Sequence, residues 1–106
     1  MATIVRFWEE AIKDYKKLDG NTKQWVDVAV VRLKERGSEI GKSLGNTNYA
    51  QLSGYKELKQ HKLGIRMIFK QLDNGDIEVI EIVAIGRRED EEIFKIAEKR
   101  RQKRLQ

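Results

Sequence analysis

Apolar positions along the chain switch between the period of a helix and the near-continuous runs of buried strands, and the switches predict the elements in turn. Thr3 to Phe7 is short and β-branched at its start, an opening strand. Trp8, Ala11, Ile12, Tyr15 and Leu18 then recur on one side of a helix that ends before Asp19-Gly20. Asn21 or Thr22 is placed to cap a second helix, whose Trp25, Val26, Val28, Ala29, Val30 and Leu33 make a broad apolar face before Gly37 stops it. The two helices are expected to lie antiparallel. Residues 38 to 54 break the pattern with Gly41, Ser43, Gly45, Asn46, Asn48, Ser53 and Gly54, and read as mostly loop, long for a compact domain.

Tyr55 to Gln60 reads as a strand, followed by a turn through His61 to Gly64. Two apolar runs follow, Met67 to Leu72 and Ile77 to Ile85, separated by Asp73-Asn74-Gly75-Asp76. Asn-Gly between apolar runs is the strongest short-range hairpin signal. A final helix is predicted from near Arg88 or Glu89, with Glu89, Asp90, Glu91 and Glu92 at its positive dipole end and Ile93, Ile96 and Ala97 as its apolar stripe. The order is β-α-α-β-β-β-α. This predicts an α+β fold: a small, mostly antiparallel sheet packed against an N-terminal helical hairpin, with a C-terminal helix. Residues 1 to 106 read as a single domain, with no internal repeat and no low-complexity linker.

Composition narrows the chemistry. There is no cysteine, so disulfides and thiolate catalysis are absent, and His61 is the only histidine. A metal site would need carboxylates alone, and no calcium-loop spacing of acidic residues appears, so no metal is expected. No signal-like N-terminal run and no long apolar segment occur, which predicts a cytoplasmic protein without a membrane partner. The formal charge of +5 is unevenly placed. Lys95, Lys99, Arg100, Arg101, Lys103 and Arg104 face only Glu98 in the last twelve residues, which therefore hold the whole excess. Residues 55 to 70 form a second basic stretch, with Lys56, Lys59, Lys62, Arg66 and Lys70 against Glu57. Such asymmetry suits a polyanionic partner, although a basic tail also complements a helix C-terminus.

Two glycine-led arginine motifs bracket the apolar hairpin, Gly64-Ile65-Arg66 and Gly86-Arg87-Arg88. Pairing around the turn brings Arg66 and Arg88 toward one end of the sheet, with Lys56 and Lys59 just upstream. Four cations then address one patch, a surface for phosphate. The simpler alternative is that each arginine pairs with a carboxylate, and Glu89 to Glu92 offer partners for Arg88. Aromatic residues in the first two helices follow helical spacing, which assigns them to the core ahead of base stacking.

Taken in order, Leu52-Ser53-Gly54 leading into Tyr55-Lys56-Glu57-Leu58-Lys59, then Gly64-Ile65-Arg66-Met67-Ile68-Phe69 and Ile85-Gly86-Arg87-Arg88-Glu89, the chain resembles the RelE/ParE toxins of bacterial type II toxin–antitoxin systems over nearly its whole length. The resemblance implies a ribosome-dependent endoribonuclease that cuts mRNA in the aminoacyl-tRNA site, needs no cofactor, and is held inactive by a cognate antitoxin. The attacking group is the RNA's own 2′-hydroxyl, leaving a 2′,3′-cyclic phosphate and a 5′-hydroxyl. By the family's pattern Arg66 and Arg88 match its two arginines and Lys59 one of its strand lysines. The other lysine position is Glu57 here, either a general base or a cross-strand ion-pair partner. Alternation along a strand turns Glu57 and Lys59 to one face and Lys56 to the other, unless a bulge brings Lys56 round.

Phe94 stands where many members have a tyrosine; its ring can stack on a base or pack in the core, but it has no proton to give. His61, Lys62 and Arg87 are candidate substrate contacts at the rim, with His61 an exposed turn residue first and a substrate contact second. The alternatives are a ParE-type inhibitor of DNA gyrase and a weakened member of the same fold that binds RNA or antitoxin without cutting.

Overall fold

The β-branched runs build a five-stranded sheet, and the helical repeats pack on both of its faces. A computed structural model describes residues 2–44, 52–87 and 90–105. The elements are β1 (Ala2–Phe7), α1 (Glu9–Lys16), α2 (Gly20–Arg36), a 3-10 turn (Gly37–Ile40), β2 (Lys42–Ser43), β3 (Tyr55–Gln60), β4 (Ile65–Asn74), β5 (Ile77–Gly86) and α3 (Asp90–Arg104). Across the sheet the order is β1-β5-β4-β3-β2. β1 runs parallel to β5, and the other neighbours are antiparallel.

The central hairpin is tighter than the sequence predicts. Asp73 and Asn74 pair with Glu78 and Ile77, which leaves Gly75-Asp76 as a two-residue turn. Gly75 has φ 67°, the left-handed conformation that such a turn demands and that glycine adopts without a Cβ penalty. Helix α2 also begins earlier than expected. Asp19, rather than Asn21 or Thr22, is its N-cap, and its carboxylate accepts the Thr22 N–H at 2.8 Å. Tyr15 Oη donates to Asp27 at 2.8 Å, joining α1 to α2.

Part of the segment read as loop is ordered structure. The 3-10 turn and β2 occupy it, and the stretch from 45 to 51 lies outside the described residues. Lys42 and Ser43 are both exposed, so backbone pairing to Glu57 and Lys56 makes this strand without any apolar alternation to announce it. Ser38 in the 3-10 turn donates its N–H and its Oγ to the buried Glu78 carboxylate, both at 2.9 Å.

Ala11, Val26, Ala29 and Leu33 meet Met67, Phe69, Ile80 and Ile82 in one core, to which α3 adds Ile93, Phe94 and Ala97. Residues 65 to 69 of β4 are all buried, as expected for a strand covered on both faces. Pairing between β1 and β5 stops at Ile82, and α1 takes over that edge. There the Asp14 carboxylate accepts the Ile85 N–H at 3.0 Å and the Arg100 guanidinium at 2.7 and 3.1 Å, while Arg100 also donates to the Val83 carbonyl at 2.8 Å. This clasp satisfies an otherwise open strand edge and joins α1, β5 and α3. No helix among the described residues is long and apolar enough to cross a membrane.

Candidate functional site

Register decides which charged side chains meet. Lys59 pairs with Arg66 across β3 and β4, Glu57 pairs with Ile68, and β2 sets Lys42 opposite Glu57. Directly paired residues project to the same side, as do residues two apart along a strand. Lys42, Glu57, Lys59 and Arg66 therefore share one face. Arg66 is also paired with Gly86, so the segment that continues into Arg87 leaves the sheet at this end.

Within the group the tightest contact joins Arg66 to Glu57. Its Nη1 lies 3.1 Å from one carboxylate oxygen and 2.9 Å from the other, and each residue is only 7% exposed. Lys42 and Lys59, by contrast, are exposed. Two solvent-facing ammonium groups thus flank a carboxylate that a guanidinium orients from below. Such an arrangement can attract a phosphodiester, accept a proton at the carboxylate and balance charge that accumulates on phosphorus.

The remaining sequence candidates divide. Lys56 projects from the opposite face and donates to the Ser38 carbonyl at 2.9 Å, so it belongs to the packing of the 3-10 turn and not to the patch. No bulge falls on β3 to turn it round, since the register there is unbroken and the irregularity lies between Ile68 and Phe69 in the β4–β5 pairing. Arg87 is held by α2: its Nη2 pairs with the Asp19 carboxylate and donates to Thr22 Oγ1 at 2.8 Å. The Thr22 backbone N–H, the Thr22 hydroxyl and Arg87 together hold the Asp19 carboxyl below the usual range, against a smaller opposing effect of desolvation.

His61 and Lys62 are exposed in the β3–β4 turn, beyond the last paired residue, Gln60. Phe94 is 7% exposed and packs in the core with Ile93 and Ala97. Arg88 lies outside the described residues. Sequence reasoning missed Lys42, and nothing local could have revealed it: its place beside Glu57 follows from a two-residue strand with no hydrophobic pattern.

No protein-family model matches the sequence, and no curated protein sequence does. Similar solved structures exist. An arginine-to-alanine double variant of the E. coli toxin RelE in the free state is 24% identical over 94% of this chain and 98% of that one, with a TM-score of 0.72. That variant in complex with an antitoxin RelBc peptide matches 92% of this chain and 95% of its own at 20% identity and a TM-score of 0.65. The RelBE2 toxin–antitoxin complex from Mycobacterium tuberculosis matches 83% of this chain and all of that one at 21% identity and a TM-score of 0.64. What is shared at these identities is architecture, down to the helical hairpin, the sheet and the final helix: the chain has the RelE toxin fold.

Proposed function

We propose that this chain is the toxin of a type II toxin–antitoxin pair and a metal-independent endoribonuclease that cuts mRNA on the translating ribosome. The reading rests on one observation, the shared face of Lys42, Glu57, Lys59 and Arg66. Glu57 takes the proton of the 2′-hydroxyl as it attacks the adjacent phosphodiester. Arg66 orients that carboxylate through its two short contacts, and Lys59 meets the phosphate and protonates the leaving 5′-oxygen. Arg88 completes the charge around the phosphate, as the family pattern implies. A cognate antitoxin is the expected protein partner, which similarity to toxins solved with antitoxins supports, and the cytoplasm is the expected location.

The test is purified protein added to ribosomes translating a defined message, with cuts mapped by primer extension. Lys59→Ala is expected to slow cutting by about 100-fold or more, the scale of a general acid, without changing thermal stability, because Lys59 is exposed. Normal cutting by this variant removes Lys59 from the mechanism.

The buried Glu57–Arg66 pair also favours a second reading. A guanidinium already engaged by a carboxylate, together with a core Phe94 that has no hydroxyl, suits a member that binds RNA or antitoxin without cutting. That reading predicts salt-sensitive RNA binding and no cleavage products. Unchanged DNA supercoiling in the presence of the protein separates both readings from gyrase inhibition.

A further inference from the structure

Four residues along β3 from Lys59, roughly 13 Å at strand rise, the same face carries a second cationic site. Trp8, Ser53, Tyr55, Lys70, Arg101 and Arg104 line a cleft of about 440 Å3. Tyr55 and Lys70 are directly paired across β3 and β4, and α3 brings Arg101 and Arg104 over them. Among the described residues no carboxylate lines the cleft, and every polar side chain in it can donate a hydrogen bond.

The cations are held in place by aromatic rings. The Arg104 guanidinium lies 3.9 Å from the centre of the Trp8 ring, and the Lys70 ammonium 5.8 Å from that of Tyr55. The Arg101 side chain makes no hydrogen bond or ion pair among the described residues. Two carboxylates border the site: Glu10 lies 3.5 Å from Arg104, and Glu81, paired with Lys70 across β4 and β5, accepts the Trp8 indole N–H at 3.2 Å. Burial and the Glu81 charge push the Tyr55 phenol up while Arg101 and Arg104 pull it down, so its O–H remains a donor at neutral pH. Two guanidinium forks, an ammonium and two hydroxyls offer more donors than a carboxylate with about four lone-pair sites can use. A tetrahedral phosphate uses them better.

We propose that this cleft is a phosphate-binding subsite that takes a backbone phosphate of the RNA strand, a few nucleotides from the phosphodiester met by Lys59. The choice of RNA as the source rests on the function proposed above, whereas the affinity for phosphate rests on the cleft alone. Indole N–H signals in NMR spectra of the full chain read it directly, because Trp8 borders the cleft and Trp25 lies on α2 as an internal control. A 2′-O-methyl RNA hexamer, which cannot supply the attacking hydroxyl, is expected to move the Trp8 signal and not that of Trp25.

Lys70→Gln combined with Arg101→Gln is expected to weaken hexamer binding at least tenfold and to reduce the slope of log affinity against log salt by about 0.7, the loss of one single-strand phosphate contact. Lys59→Gln is expected to weaken the hexamer yet leave the Trp8 response to inorganic phosphate intact. If the ribosome assay shows no cutting but these responses hold, the subsite stands and only the catalytic reading fails. Hexamer binding indifferent to the double variant overturns the proposal. A Trp8 response to inorganic phosphate or to an oligoglutamate peptide, with none to the hexamer, overturns it as well.

Discussion

Replacing Arg66 with methionine keeps much of the side-chain volume but strands a carboxylate. Glu57 is 7% exposed, and both of its oxygens now lie within 3.1 Å of the guanidinium. Removing one partner of such a buried pair costs about 3–5 kcal/mol, since the remaining charge is neither solvated nor matched. Against a total stability of about 5–15 kcal/mol for a small domain, this is a large fraction. At about 4 °C or more per kcal/mol for a domain of this size, Tm falls by about 12 °C or more. Glu57→Met leaves the guanidinium buried and carries a similar penalty. The double variant loses less than the sum of the two, by about 1–3 kcal/mol, because each single change has already discarded the shared interaction. Urea unfolding followed by circular dichroism measures all four proteins, and equal m-values make the comparison valid. Additivity within about 0.5 kcal/mol refutes the reasoning, since coupled neighbours do not add. The same numbers govern any cleavage assay on Arg66 variants: lost cutting counts as chemistry only at a temperature where the variant is still folded.

Gly41→Ala puts a methyl group against the Phe69 ring, 2.9 Å from its Cε1, and 3.2 Å from Lys56 Cβ. Phe69 is fully buried and has nowhere to go, so the variant is expected to lose about 1–3 kcal/mol in the same urea assay. Asp19→Ala removes the cap of α2 and the anchor of Arg87. Because the folded-state pKa of Asp19 is depressed, its contribution is fully present above the ordinary aspartate range and is lost as pH falls through the folded value. The Tm gap between wild type and Asp19→Ala is therefore expected to close on acidification, and a gap constant with pH contradicts that assignment. Phe94→Tyr buries a hydroxyl in the core and is expected to cost about 1–3 kcal/mol in the urea assay while leaving any cutting rate unchanged; a tenfold rise in cutting contradicts that placement.

Strand β3 was legible to the residue, since Tyr55 to Gln60 is bounded by turn formers on both sides. The alternation that sends Glu57 and Lys59 one way and Lys56 the other was equally legible, because it needs only the period of a strand. What alternation cannot supply is register. The contact between Glu57 and Arg66 required knowing that Lys59 faces Arg66, and the place of Lys42 required a strand made by backbone pairing alone. The Asp14–Arg100 clasp joins residues near opposite ends of the chain, and no local pattern marks either of them as a partner. Ser38 and Glu78 were hidden for the same reason, as a buried carboxylate is recognisable only once its donors are in place.

The parallel pairing of β1 with β5 also orders events in time. Ala2 to Phe7 leave the ribosome long before their hydrogen-bonding partners, Ile77 to Ile82. Closing so long a loop cannot precede the synthesis of its far end, so the first helices have no finished sheet to dock on while most of the chain is being made. The sheet is therefore complete only after β5 has emerged, and a binding partner made beforehand has that interval in which to be waiting for it.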